Sequence, residues 1–196
     1  MSSFEQCLHR IRRDLDEIGR PWALVGALAV AVWAEARATL DVDVAVAVAD
    51  PDDAAALVEA LRRRGYQWQS SFGNALTSLS VPDGPPAGLR LDLLFSLAGI
   101  EDRVARAAET LTVLPHLEMP VARRGDLIAM KLLAAREPTR EHDRRDLRHL
   151  LRGASGDDLE QAQSAIDWLV RRGVVAAGVL EADLERVRAT STNRGN

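Results

Sequence analysis

Apolar residues recur every three to four positions near the start of the chain, which predicts an amphipathic helix over residues 4–19 that ends before Pro21. The apolar segment WALVG follows and predicts a short buried strand. The segment ALAVAVWAEAR predicts a helix whose small side chains allow close packing on a sheet. The segment LDVDVAVAV then alternates strictly and is rich in valine, which is typical of a strand.

The rest of the chain divides into a strand-rich stretch and a helical stretch. Asp50 or Asp52 can cap a helix that runs to Gly65, and three strands are predicted from Tyr66 to Leu97. Everything after Gly99 is expected to be helical. The pattern therefore predicts an α/β fold, with a mixed sheet and flanking helices over residues 1–99 and a C-terminal helical region over residues 100–196.

Composition favours a globular protein of the cytoplasm. Of the 196 residues, 47% are hydrophobic and 28% are charged, which argues against disorder. The most apolar run, between Arg20 and Glu35, is shorter than the roughly 18 residues that indicate a membrane span, and no signal peptide is visible. Cys7 is the only cysteine, so no internal disulfide can form. A net charge of −4 means that a nucleic-acid partner would need a local basic patch.

Three aspartates on predicted strands are the main candidates for chemistry. Asp41 and Asp43 are two residues apart on one strand, so both point to the same face, about 6.6 Å apart along the backbone. A third acid, Asp92, lies within another strand, LRLDLLF. Like charges this close require compensation, and Mg²⁺, which takes hard oxygen ligands, is the obvious cation. Two-metal phosphoryl-transfer sites are commonly built from such carboxylates. The alternative is structural: Asp41 starts an exposed strand edge and Asp92 pairs with an arginine.

A glycine lies at the turn between the first predicted strand and the helix after it. Gly26 would let a phosphate approach the backbone N–H groups at the helix N-terminus, although many such turns use glycine only for geometry. The sequence contains no GxxxxGK[ST], GxGxxG or GxSxG motif, so the common nucleotide-binding and hydrolase classes lack their signatures.

Five short pieces of the sequence form one ordered set: Gly26, the run from Arg37 to Asp43 (RATLDVD), Asp92, the run Lys131-Leu132-Leu133-Ala134, and the run from Arg140 to Leu147. Together they resemble the nucleotidyltransferase superfamily that includes DNA polymerase β-like enzymes, and most closely its AbiEii-type, MenT-like toxin branch. The resemblance extends over residues 22–151. Two positions differ from the family pattern: Ala27 stands where the turn has Gly or Ser, and His142 stands where lysine is usual.

The resemblance implies transfer of a nucleotidyl group from an NTP to an acceptor hydroxyl. Asp41 and Asp43 would hold two Mg²⁺ ions, and Asp92 would complete the metal site and help deprotonate the acceptor. The backbone of Gly26 and Ala27 would hold the β and γ phosphates. Arg37 and Thr39 precede Asp41 in the matching run. They are candidate nucleotide-binding residues that would either contact phosphate or support the strand carrying Asp41 and Asp43.

Lys131 is the only lysine beside 24 arginines. A lysine is a compact point charge that can contact a single phosphate oxygen, so we expect Lys131 to bind the nucleotide, with a surface lysine as the alternative. Asp143 and Asp146 are spaced i, i+3 on one face of a predicted helix. They either contribute to the nucleotide site, for instance by orienting the lysine, or pair with nearby arginines.

Residues 123–152 carry nine basic and five acidic side chains, a local excess of four positive charges. Such a stripe suits a polyanionic acceptor, and the resemblance to toxins suggests tRNA and a cognate antitoxin. Two alternatives share the core: a small-molecule, antibiotic-type nucleotidyltransferase and a non-catalytic nucleotide-binding protein. A HEPN-like nuclease, suggested by the spacing of Arg144 and His149, conflicts with the strand-rich first half.

Overall fold

The computed structural model describes residues 2–34, 39, 41–73, 75–84, 88–95 and 99–192. The chain forms two compact units. The N-terminal unit comprises Met1–Ala29 and Arg37–Ala122, and the C-terminal unit comprises Val30–Ala36 and Arg123–Asn196. No helix within the described ranges is long and apolar enough to span a bilayer.

A seven-stranded mixed sheet forms the N-terminal unit, in the order β3-β4-β5-β2-β1-β7-β6. The pairs β2–β5 and β1–β7 are parallel, and the other neighbours are antiparallel. The strands are β1 (Trp22–Leu24), β2 (Asp41–Val46), β3 (Gln67–Phe72), β4 (Leu76–Ser80), β5 (Arg90–Phe95), β6 (Glu109–Leu114) and β7 (Leu117–Val121).

Four helices begin in this unit, and their ends follow from local capping. Ser2 and Glu5 form a capping box at the first helix, and Asp50 caps the third by accepting a hydrogen bond from the Asp53 N–H. The second helix starts in the N-terminal unit and continues into residues of the C-terminal unit. The four are α1 (Ser3–Ile18), α2 (Gly26–Trp33), α3 (Pro51–Arg63) and α4 (Glu101–Arg106).

The two central strands separate an apolar face from a polar one, as their alternation predicts. Val42, Val44 and Val46 of β2 are fully buried, and so are Leu91 and Leu93 of β5. The residues between them include the three aspartates. The sheet therefore forms its core on the valine and leucine side and leaves the carboxylates on the opposite face.

The prediction that everything after Gly99 is helical is wrong for one hairpin, β6–β7. This segment, TLTVLPHLEMPV, alternates in polarity and turns at His116, whose φ is 68°. Parallel pairing with β1, through Leu24 and Val121, makes β7 an internal strand of the sheet. The compact units consequently divide between Ala122 and Arg123, whereas the sequence pattern placed a boundary at residues 99–100.

The C-terminal unit is helical, and its first long helix packs on the third. Gly125 makes this contact possible, because a Cβ there would lie 2.4 Å from the Asp158 carbonyl oxygen and 2.7 Å from the Ala162 nitrogen. Ser155 and Asp158 form a capping box at the start of the third helix. The helices are α5 (Arg124–Ala134), α6 (Glu141–Arg152), α7 (Gly156–Arg171) and α8 (Val179–Thr192).

Candidate active site

Strand register brings the three predicted aspartates onto one face of the sheet. In the parallel pair β2–β5, Asp43 lies opposite Asp92 and Asp41 lies opposite Arg90. In the antiparallel pair β4–β5, Ser78 lies opposite Asp92. Residues in register on neighbouring strands share a face, so these five side chains form one polar set. We call it the aspartate face: Asp41, Asp43, Ser78, Arg90 and Asp92.

Asp92 is the most enclosed acid of the aspartate face and is fixed by two donors. It is buried, and the Ser78 hydroxyl donates a hydrogen bond of 2.6 Å to its Oδ1. The Arg90 Nε donates to its Oδ2 at 3.1 Å. The guanidinium also reaches the neighbouring strand, where Nη2 lies 2.8 Å from Asp41 Oδ2. Arg90 thus bridges carboxylates of β2 and β5.

The turn at Gly26 is shaped by the carboxylate of Asp43. Gly26 has φ of +62°, and a Cβ there would lie 1.9 Å from Asp43 Oδ2. The Val25 N–H donates to the Asp43 carbonyl oxygen at 2.9 Å, which ties the turn to β2. Both backbone angle and space therefore require glycine. The following Ala27 is 3% exposed, so its methyl group is part of the core.

Thr39 supports the start of β2. Its hydroxyl accepts a hydrogen bond from the Asp41 N–H at 3.1 Å and lies 3.3 Å from the Asp41 carbonyl oxygen. Of the two roles expected for this residue, the structure displays the strand-supporting one, and phosphate contact stays a prediction. The other residue of this pair, Arg37, lies outside the described residues.

Lys131, Asp143 and Asp146 form a separate cluster within the C-terminal unit, which we call the lysine cluster. Lys131 Nζ donates to Asp143 Oδ1 at 2.6 Å and lies 2.9 Å from Asp146 Oδ2. All three residues are buried, and Arg140 Nε approaches Asp143 at 3.3 Å. The carboxylates orient the lysine and join α5 to α6, while contact of these three residues with a nucleotide stays a prediction.

The aspartate face offers the donors that Mg²⁺ prefers, but an arginine lies among them. Within the described ranges, no three His, Cys, Asp or Glu side chains converge closely enough to hold a metal ion. Asp41, Asp43 and Asp92 supply hard carboxylate oxygens on neighbouring strands, which suits Mg²⁺ by ligand type. Two of these acids also contact the Arg90 guanidinium. The donor set therefore suits the ion by ligand type, while Arg90 holds two of the three carboxylates in this arrangement.

Sequence reasoning did not name Arg90 or Ser78 as parts of this site, although its structural alternative had Asp92 pairing with an arginine, as it does. Arg90 is two residues before Asp92 on the same strand, so alternation alone places both on one face. Its second partner, Asp41, depends on pairing between β2 and β5, which the sequence does not reveal. Ser78 likewise reaches Asp92 only through the register of β4 with β5.

Comparison with known proteins adds two findings on the fold. An antigenic nucleotidyltransferase-like protein from Paracoccidioides brasiliensis has 18% identity, with 90% of this chain and 91% of that chain covered and a TM-score of 0.57. ANT(2'')-Ia, solved in complex with adenylyl-2''-tobramycin, has 14% identity, with 100% of both chains covered and a TM-score of 0.54. No curated protein matches the sequence. At these identities, the two structures show that the fold is of the nucleotidyltransferase type.

A protein-family model also matches this chain, and it identifies a family rather than a fold alone. The model of the family described as "Nucleotidyl transferase AbiEii toxin, Type IV TA system" matches residues 11–190, which include the aspartate face and the lysine cluster. The resemblance seen in the sequence is thereby confirmed, as is the α/β fold. The chain belongs to the AbiEii nucleotidyltransferase toxin family and is a nucleotidyltransferase.

Proposed function

We propose that this enzyme transfers a nucleotidyl group from an NTP to a hydroxyl of tRNA in a Mg²⁺-dependent reaction. In this proposal it acts in the cytoplasm as the toxin of a toxin–antitoxin pair. The observation that carries the proposal is the aspartate face beside the Gly26 turn, where Asp41, Asp43 and Asp92 share one face. Carboxylates placed this way are the ligands of metal-assisted phosphoryl transfer.

The proposed reaction makes one bond and breaks one. The acceptor hydroxyl oxygen attacks the α-phosphorus of the NTP, the bond between the α-phosphorus and its bridging oxygen breaks, and pyrophosphate leaves. Asp41 and Asp43 would hold Mg²⁺, which supplies charge neutralisation at the phosphates. Asp92 accepts the hydroxyl proton, with Ser78 holding Oδ1 and leaving Oδ2 for the acceptor when Arg90 moves away.

The lining of a cavity in the C-terminal unit favours the proposal of a polyanionic acceptor. The cavity has a volume of about 690 Å³ and lies among α5, α6 and α8. Four arginines and one acid, Asp183, line it, and Asp183 pairs with two of those arginines. Guanidinium groups bind phosphates in forked geometry, so such a lining favours a nucleic acid. The arginines are Arg136, Arg144, Arg148 and Arg186.

The alternative acceptor is a small molecule. ANT(2'')-Ia, which has a similar fold, was solved with an adenylylated tobramycin. The net positive lining of the cavity described above favours an anionic acceptor over a cationic one. We therefore propose tRNA as the acceptor and compare it with the small molecule tobramycin in one experiment.

The test incubates the purified protein with each α-labelled NTP, Mg²⁺ and either total tRNA or tobramycin. We expect label in tRNA, and a loss of about a thousandfold in Asp43→Asn, since a metal ligand is removed. Asp102→Asn, which removes a partly exposed carboxylate paired with Arg106 in the same unit, is the matched control and should retain activity. Label in tobramycin alone would replace tRNA by the small-molecule acceptor. No transfer to either acceptor, with NTP still bound, would indicate a binding protein.

The toxin role has its own test in cells. We expect induced expression of the wild-type protein to arrest growth, and expression of Asp43→Asn at the same level to leave growth unchanged. Arrest by both proteins would separate toxicity from nucleotidyl transfer and contradict the proposal.

A further inference from the structure

Arg90 supplies a positive charge between the two strands that carry the aspartates. Its Nε lies 3.1 Å from Asp92, and its Nη2 lies 2.8 Å from Asp41. Each interaction is a charge-assisted pair at hydrogen-bonding distance. One guanidinium therefore serves as counter-charge to two of the three carboxylates that the proposed reaction requires.

The guanidinium has room to move. The Arg90 side chain is 49% exposed, whereas that of Asp92 is 10% exposed. A cavity of about 540 Å³ adjoins it and offers polar groups from Gln69, Ser70 and Ser80. Asp41 and Arg90 line this same cavity, so the guanidinium can move away from Asp92 and remain in a polar environment. An exposed ion pair is also a weak one, because water screens the attraction.

We propose that Arg90 is a displaceable counter-cation of the aspartate face. In the metal-free protein it neutralises Asp41 and Asp92, and a divalent cation binds by displacing it. This inference rests on the proposed function, since it concerns the same carboxylates. Its physical basis is competition, because a guanidinium at hydrogen-bonding distance repels a second cation and occupies lone pairs that would otherwise coordinate it. Arg90 thereby acts as a positioning residue that keeps the carboxylates together and sets the affinity for metal.

The test measures binding of Mn²⁺ alone to the full chain by electron paramagnetic resonance of the free ion, without nucleotide. Arg90→Gln removes the competing charge, and we expect it to bind Mn²⁺ roughly tenfold more tightly than the wild type. Arg90→Lys keeps the charge without the fork that reaches two carboxylates, so we expect an intermediate affinity. Arg106→Gln, which breaks an exposed pair with Asp102 in the same unit, is the matched control and should bind as the wild type does.

Thermal unfolding gives a second measurement that does not depend on activity. Without Arg90, Asp41 and Asp92 lose their counter-charge, so Arg90→Gln should melt at a lower temperature than the wild type in EDTA. Saturating Mn²⁺ should raise the Tm of the variant more than that of the wild type, because a ligand stabilises the folded state in proportion to its affinity. A lower Tm in EDTA that Mn²⁺ does not restore would assign Arg90 a purely structural role and overturn the inference.

The outcomes separate this inference from the proposed function. If the wild type labels tRNA and binds Mn²⁺, but Arg90→Gln binds Mn²⁺ equally or more weakly, only the counter-cation inference fails. If Asp43→Asn transfers nucleotide as well as the wild type, and neither the wild type nor Arg90→Gln binds Mn²⁺, both proposals fail. Tighter binding in Arg90→Gln and unchanged binding in Arg106→Gln would support the inference.

Discussion

Both units of the molecule place one cation among aspartates, but in opposite settings. On the aspartate face, the Arg90 side chain is half exposed and bridges two strands. In the lysine cluster, Lys131 is 8% exposed and contacts two buried acids, Asp143 and Asp146. The charges are similar, so burial distinguishes the two sites. A screened cation can be exchanged for another, whereas a buried one cannot leave without taking the closest counter-charge from two buried acids.

This difference in burial gives Arg90 and Lys131 different roles. The lysine cluster joins α5 to α6 and gives the C-terminal unit a fixed geometry. The aspartate face lies on strands whose backbone is fixed by the sheet, so its side chains can change partner without unfolding the core. Four substitutions test this contrast.

Removing the buried cation should have the largest effect. We expect Lys131→Met to lower the free energy of unfolding by about 3–5 kcal/mol, because the buried acids Asp143 and Asp146 lose their closest counter-charge. Urea denaturation would measure the loss. Adding Asp143→Asn and Asp146→Asn to this variant should recover part of it. A loss in Lys131→Met no larger than that in Arg90→Gln would contradict the contrast drawn from burial.

Closing the space at the turn of the aspartate face should have the next largest effect. Gly26→Ala requires a non-glycine residue at φ of +62° and a Cβ that would overlap the Asp43 carboxylate. We expect a loss of about 2 kcal/mol in stability, together with loss of nucleotidyl transfer. Gly156→Ala, at a helical glycine with open space around it, is the control and should be neutral or slightly stabilising. Full transfer activity in Gly26→Ala would show that the position of Asp43 is not critical.

The hydroxyl that fixes Asp92 should contribute less. Ser78→Ala removes a 2.6 Å hydrogen bond to a buried carboxylate, and we expect it to cost about 1–2 kcal/mol in stability. Because Asp92 loses its orientation rather than its charge, kcat should fall while the KM for NTP changes little. Thr112→Ala, at an exposed position on β6 of the same sheet, is the control. A rise in KM with unchanged kcat would assign Ser78 to substrate binding.

A carboxylate at the start of α4 extends the comparison, because it is desolvated and no cation among the described residues is paired with it. Desolvation raises the pKa of Glu101 above its ordinary value of 4.5, and its Oε2 has no hydrogen-bond partner among the described residues. A raised pKa means that this group favours the folded state at low pH and that the benefit is lost as pH rises through the folded-state pKa.

Replacing this acid should therefore stabilise the protein in a pH-dependent manner. We expect Glu101→Gln to be more stable than the wild type by less than about 1 kcal/mol at pH 8, and the difference to shrink towards pH 5. Melting curves of both proteins at the two pH values measure the change. A difference that grows on acidification would mean that Glu101 is held as a stabilised carboxylate in the folded protein.

The sequence predicted the central strands and their two faces because alternation is a local property. Val42 and Val44 are buried, and Asp41 and Asp43 share the opposite face, as their spacing indicates. The hairpin β6–β7 was missed because Glu109–Leu114 follows a helix directly and also suits a helical pattern. Its strand conformation is stabilised by pairing with β7, and β7 in turn by β1, which a local pattern does not reveal.

Side-chain partners across the sheet were the least predictable part of the site. Arg90 and Ser78 reach the aspartates through strand register, which depends on the whole fold. Trp68 shows the same limit, since a large aromatic side chain is ordinarily well buried, yet this one is 54% exposed on β3, an edge strand of the sheet. Burial on a strand is set by what covers the sheet at that position.

The lone lysine also makes the protein its own chemical reporter. An amine-reactive reagent meets a single side-chain amine in the chain, and Lys131 is enclosed and bound by two carboxylates. Its rate of modification would therefore measure how often α5 and α6 separate, since the reagent requires an opened state. Local opening of the C-terminal unit could thus be followed by mass spectrometry with no engineered label.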